Sequence, residues 1–385
     1  MDALGLPRAA WMTEDLVLLE EQARRFIASE YAPHLETWNE NGIYDREVWT
    51  KAGAAGLLCP SIPEEYGGVG GSFAHEAVIV RELSSAGFDS FGAPLHSGIV
   101  APYILHYGTE EQKRRWLPKL VSGELVGAIA MSEPGAGSDL QGVRTAARKS
   151  GNGYVLNGSK TFITNGQHAN LIVVVAKTDA AAGAKGVSLM VVETEDAPGF
   201  RRGRKLAKLG LDAADTSELF FEDVKLPPEN LLGGEEGQGF AQLMNDLPRE
   251  RLLVVVHAQA MLERALALTV DYVKQRQAFG KKIVEFQNTQ FVLAECKSEA
   301  TIARVFHDHC IERYLKRELD TVTASMAKYW ITDLQGKIID RCLQLFGGYG
   351  YMEEFPISRM YRDARVMRIY AGTNEIMKLL IARSL

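Results

Sequence analysis

Met131–Asp139 reads MSEPGAGSD, and Lys160–Gly166 reads KTFITNG. The first is a Gly-rich loop without net apolar character. The second reads as the end of a strand that presents an aromatic ring and a Thr hydroxyl. Glycines let a ligand approach the backbone closely, and the hydroxyls of Ser132 and Ser138 can donate or accept hydrogen bonds. Two small-residue turns, two hydroxyls and a presented aromatic suit a planar, phosphate-bearing cofactor. A Gly-rich loop alone is only a strand-to-loop connection. The two motifs at this interval carry the reading.

Around these motifs the chain has three textures. From residue 1 to about 125 the apolar period is helical. Thr13 suits an N-cap, Glu14 and Asp15 follow it, and Leu16, Leu19, Ala23, Phe26 and Ile27 share one face. Pro33 limits that helix. Thr109 and Gln112 form a capping box ahead of Trp116, Leu117 and Leu120. From 126 to 235 the period changes. Tyr154–Leu156 and Thr161–Ile163 flank Asn157–Gly158, which predicts a hairpin. Leu171–Val175 and Val187–Val192 are β-branched runs, and Pro227–Pro228 stops another after Glu218–Phe221. From 236 to 385 the helical period returns over Val254–Val273, Thr289–Tyr314 and Ala324–Leu345. The expectation is an α+β chain: an N-terminal helical domain, a middle antiparallel β-barrel or sandwich, and a C-terminal four-helix bundle.

Composition narrows the classes. The 385 residues carry a net charge of −6 with 46% hydrophobic and 24% charged residues, ordinary for a globular protein. No Lys/Arg-dense stripe is present, so no nucleic-acid partner is expected. The apolar runs read as too short to span a membrane, so no membrane insertion is expected. Cys59, Cys296, Cys310 and Cys342 form no CxxC pair, and the start MDALGLPRAAWMTEDL lacks signal-peptide texture. A reduced, cytoplasmic setting is the expectation. His96, His106, His257, His307 and His309 are scattered, and the last two are too close in a helix to share a face. No metal site is expected.

Taken together, MSEPGAGSD and KTFITNG closely resemble the signature of the acyl-CoA dehydrogenase family of FAD enzymes. The helix–strand–helix order extends the resemblance over nearly the whole chain. It implies that Met131 and Ser132 contact the flavin, and that Ser138 bonds the pantetheine arm or the cofactor phosphates. Phe162, Ile163 and Thr164 would lie along one face of the ring system, with Thr164 near its redox-active nitrogen. Arg276–Gln287, RQAFGKKIVEFQ, reads on its own as a helix end with Gly280 as C-cap. The family resemblance assigns Arg276, Phe279 and Gln287 to the FAD of a neighbouring subunit. Arg suits a pyrophosphate because its fork donates two parallel charge-assisted bonds. In QLFGGYG, Gln344, Gly347 and Gly348 would approach the adenosine-diphosphate part. Such shared sites imply an oligomer, the family's usual homotetramer.

Tyr370–Glu375 reads YAGTNE. Many family members place the catalytic Glu immediately before this Gly-Thr, but here the position is Ala371. Tyr370, Ala371 and Gly372 remain for the substrate, and Thr373 and Glu375 for the cofactor. The helix DLPRERLLVVVHAQA, Asp246–Ala260, offers a replacement. Pro248 suits a first helical position, and on spacing alone Glu250 reads as a solvated first-turn carboxylate. The isovaleryl-CoA and long-chain branches, however, place their base on this helix, one residue before an Arg that contacts the thioester arm. Glu250–Arg251 matches that pattern, with Asp246 a weaker alternative base. A ribityl hydroxyl and the Ala371 N–H would bind the thioester oxygen. Burial would raise the pKa of Glu250 towards neutrality, and an inward Arg251 would oppose it.

The resemblance thus implies conversion of an acyl-CoA to the trans-2-enoyl-CoA, with electrons passed to an electron-transferring flavoprotein. Three alternatives stay open: a flavin oxidase, a monooxygenase of the same fold, and a non-catalytic acyl-CoA or acyl-carrier binding protein. Phe88–Tyr107 is a candidate for the closed end of the acyl pocket.

Overall fold

The computed structural model describes residues 4–385. Seven helices come first: α1 (Glu14–Phe26), α2 (Leu35–Asn41), α3 (Glu47–Ala54), α4 (Phe73–Ser85), α5 (Ala93–Leu95), α6 (Ala101–Tyr107) and α7 (Glu110–Val121). Thr109 caps α7 in a capping box with Gln112, whose side chain also reaches the Glu229 and Leu231 carbonyls. A local helix signal thereby also ties the helical domain to the β domain. Pro33 sits in a 3-10 turn beyond α1, where its fixed φ is tolerated.

Seven strands form the middle domain: β1 (Gly127–Ala130), β2 (Ala146–Ser150), β3 (Gly153–Ile163), β4 (Leu171–Lys177), β5 (Val187–Glu193), β6 (Phe200–Lys205) and β7 (Ser217–Leu226). The order is β1-β4-β2-β3-β7-β6, with β5 also paired to β4. Most pairings are antiparallel, but β1 and β2 run parallel to β4. β4 is buried on both faces: Leu171, Val173 and Val175 join the helical core, while Ile172, Val174 and Ala176 join the β core. That explains its unbroken apolar sequence. Asn157–Gly158 is not a hairpin turn. β3 runs through it with a register shift, and the turn lies at Gly151–Asn152. Gly158 is needed because a Cβ there would lie 2.5 Å from the Thr145 hydroxyl.

The C-terminal domain holds α8 (Gly239–Gln275), the short strands β8 (Gln277–Ala278) and β9 (Lys281–Lys282), α9 (Gln287–Leu315), α10 (Thr321–Phe346), α11 (Pro356–Ala364) and α12 (Asn374–Ala382). Two local expectations are corrected here. Pro248 is not at the start of α8 but nine residues inside it, because packing along 37 residues outweighs one lost backbone bond. Gly280 is not a C-cap: Phe279 (φ +52°) and Gly280 (φ +78°) are the two central residues of the β8–β9 hairpin. A third correction concerns length. α8 is long and apolar enough to cross a membrane, yet 61% of that window is buried inside the fold, as the core helix of the bundle. All four cysteines are free and buried, and no cluster of metal ligands occurs among the described residues.

Candidate active site

The two sequence motifs fold into one unit. The Thr161 N–H donates to the Ser132 carbonyl at 3.0 Å, and Lys160 Nζ donates to the Met131 carbonyl at 3.0 Å. Lys160 is fully buried and pairs with Glu133 Oε1 at 2.8 Å. Glu133 in turn accepts the backbone N–H groups of Arg144 and Thr145. Burial pushes the Lys160 pKa down to about 8 against the pull of Glu133. This paired charge sets the loop from below. Above it, Met131 and Ser132 are half-buried and Ser138 is exposed. A Cβ on Gly135 or Gly137 would meet nothing, so the face of the loop is open. Phe162 stands 69% exposed at φ +61°. Ile163 instead turns its side chain into the β core, which leaves only its backbone for a ligand. Thr164 is half-buried beside them.

The second cluster lies on α8. Glu250 is 5% exposed and accepts the Tyr103 hydroxyl of α6 at 2.8 Å. Burial lifts its pKa to about 7, against the Tyr103 bond that lowers it. Asp246 adds to the rise, and Arg251 and Arg249 oppose it. Arg251 is itself buried, so the inward guanidinium is present but does not overcome desolvation. Asp246, one turn earlier, is engaged by His106 Nδ1 at 3.0 Å. Tyr370 and Ala371 pack against the cluster that includes Leu252–Val256 of the same helix. Ala371 (φ +53°) and Gly372 (φ +87°) are both left-handed, and the Ala371 N–H has no acceptor among the described residues.

A third region is a groove of about 630 Å³ lined by Arg276, Gln344, Gly347 and Gly348 with Tyr272 and Tyr349. Arg276 lies 5.4 Å over the Tyr349 ring and has no carboxylate partner among the described residues. A Cβ on Gly347 or Gly348 would meet nothing. Phe279 is 95% exposed on its hairpin tip, and Gln287 is exposed where α9 begins. Thr373 caps α12 through the Ile376 N–H, and Glu375 is exposed in that helix's first turn. An unpaired guanidinium beside open glycines fits a phosphate-bearing group, and the open loop with its exposed ring fits a flat one. No sequence motif marks Tyr103, His106 or Lys328 as a site residue, and Lys160 lies in KTFITNG without being read as one. Tyr103 and His106 do lie in the stretch read as a pocket end.

A helical domain and a bundle that meet at a buried carboxylate, joined by a β domain, define a class that comparison with known proteins makes specific. The family profiles for the acyl-CoA dehydrogenase N-terminal, middle and C-terminal domains match residues 13–124, 128–224 and 237–385. The chain belongs to the acyl-CoA dehydrogenase family. It is 50% identical over 370 residues to the long-chain specific acyl-CoA dehydrogenase, mitochondrial, of Mus musculus, covering 96% of this chain and 86% of that protein. It matches the crystal structure of acyl-CoA dehydrogenase from Geobacillus kaustophilus with a TM-score of 0.96 at 51% identity, over 98% and 99% of the two chains. A glutaryl-CoA dehydrogenase from Mycobacterium smegmatis, solved in complex with FADH2, matches with a TM-score of 0.88 at 29% identity, over 97% and 94%.

Proposed function

We propose that this acyl-CoA dehydrogenase uses Glu250 as the base that removes the α-proton of an acyl-CoA thioester. The observation that carries the reading is a buried carboxylate held near neutrality on the helix that packs beside Ala371. An ionised Glu250 is needed, and a pKa of about 7 keeps both protonation states accessible at neutral pH. Tyr103 fixes Oε1. Oε2 takes the proton. The Ala371 N–H donates to the thioester oxygen as negative charge builds there. FAD, when bound, supplies the acceptor for the β-hydride.

Met131, Ser132, Phe162 and Thr164, with the backbone of Ile163, would hold the flavin ring. Arg276, Phe279, Gln287, Gln344, Gly347 and Gly348 would hold the adenosine-diphosphate part, shared between subunits of a homotetramer. Thr373 and Glu375 complete the cofactor contacts, and Ser138, Arg251, Tyr370 and Gly372 those of the substrate. The electron acceptor is an electron-transferring flavoprotein. A cytoplasmic, reducing compartment agrees with four buried free thiols.

The test is an anaerobic visible spectrum titrated with straight-chain and methyl-branched acyl-CoAs. The long-chain specific relative puts long straight chains first. Bleaching of the oxidised flavin band by one of them, lost in Glu250→Gln, is the expected result. A flavin that no acyl-CoA bleaches would sink the reading, and retained turnover in the variant would sink the base.

A further inference from the structure

Lys328 lies in the middle of α10 with its side chain fully buried. Burying an ammonium is costly unless it is paired and hydrogen-bonded. No carboxylate among the described residues forms an ion pair with it. Nζ donates to the Gly372 carbonyl at 2.7 Å and to Asn374 Oδ1 at 3.0 Å. The charged groups facing it come from each packed element: Arg251 of α8 repels it, while Asp333 of α10 and Glu375 of α12 attract it. Desolvation first and Arg251 second push its pKa down to about 7. An apolar side chain of similar volume would avoid that cost, so the ammonium is poorly explained as a stability device.

The group it grips is the strained turn. Ala371 and Gly372 are both left-handed, a conformation that strains a non-Gly residue. Left alone, Ala371 would relax. Lys328 reaches this turn from α10, and its second acceptor is itself locked. The two hydrogens of Asn374 Nδ2 are shared among Asp333 Oδ1 at 2.9 Å, Thr332 Oγ1 at 3.0 Å and the Tyr329 carbonyl, which turns the Asn374 Oδ1 towards Lys328.

We infer that Lys328 is a positioning residue, an ammonium clamp on Gly372 and Asn374 that holds the Ala371 N–H aimed at the thioester oxygen. The inference rests on the dehydrogenation reading and adds what keeps its oxyanion donor in place. Lys328 touches neither substrate nor cofactor and acts through the turn.

The experiment is vibrational difference spectroscopy of enoyl-CoA product, labelled with 13C at the thioester carbonyl and bound to the purified flavoprotein. Hydrogen bonds to the oxygen lower that stretch. The wild type and Glu250→Gln should show the same lowered frequency, because proton removal is not involved. Lys328→Met should lose most of the lowering and reduce kcat on the order of 100-fold, the scale of a lost oxyanion donor. Its KM and flavin content should change little. A Lys328→Met flavoprotein with an unchanged carbonyl frequency overturns the inference, even if its melting temperature falls, since that is a merely structural role. If this variant does not accumulate as flavoprotein, Asn374→Ala takes its place. It keeps the bond to Gly372 and should lose part of the lowering, and an unchanged frequency again overturns the clamp. A wild type that binds no enoyl-CoA would instead sink the functional reading.

Discussion

Glu250 and Phe279 stand at opposite extremes of this molecule. One is a carboxylate 5% exposed and bonded within the chain, and the other is a ring 95% exposed at the tip of a two-residue hairpin. The same contrast divides their surroundings. Around Glu250 the charged groups Asp246, Arg249 and Arg251 are buried too, and Tyr103 spends its hydroxyl donor inside the chain. Around Phe279 the guanidinium of Arg276, the open glycines Gly347 and Gly348 and the side chain of Gln287 face outward. The acid–base half is finished by one chain. The groove half is a surface left for something else to complete, a ligand or a neighbouring copy.

The contrast can be broken by substitution. Glu250→Gln removes the base while preserving shape, and flavin reduction by a good acyl-CoA should fall by roughly 10²–10⁴-fold in stopped-flow measurements. Reduction at an undiminished rate would mean the buried half is not the chemical half. Arg276→Ala is expected to weaken flavin retention by about 10- to 100-fold, the worth of a charge-assisted bond, measured by equilibrium dialysis. Its reduction rate at saturating flavin should stay near that of the wild type. Tyr103→Phe removes the hydrogen bond that lowers the Glu250 pKa. The base must be ionised, so activity rises with pH through about 7. In the variant that acid limb should move up by about one unit, since one unit corresponds to about 1.36 kcal/mol. A limb that stays put would mean Tyr103 does not touch the reactive carboxylate in solution. The smallest effect is expected for Phe279→Ser. An exposed tip carries little stability, within about 0.5 kcal/mol, so the melting temperature of flavin-free protein should barely move. A large drop would show that the ring is already packed in the free protein.

Local signals survived folding where they agreed with packing. The Thr109–Gln112 capping box and the apolar runs of β4 and β5 are as the sequence predicts, because β4 is apolar for the same reason it is buried twice. Asn157–Gly158 misled, since a dipeptide that favours positive φ serves a bulge as well as a turn, and only Thr145 decides between them. Pro248 misled in the same way: its ring suits a first turn, but bundle contacts carry the helix past it. The candidate cofactor residues could be named by motif. Tyr103 could not, because the bond to Glu250 spans 147 positions. Lys328 did leave a trace. Ala324, Ala327, Ile331 and Leu334 mark the buried stripe of α10, and Lys328 stands within it. A charged residue on such an apolar stripe is a signal that the sequence itself carries.

Phe162 carries a last consequence. A left-handed, solvent-facing aromatic is a residue the fold holds against its own preference, at a cost of order 1–3 kcal/mol. Replacing it with Gly relieves that tension and should make the flavin-free protein harder to melt. A laboratory selecting variants by heat alone would therefore be drawn to this position, and would discard the ring that the KTFITNG segment holds out to solvent.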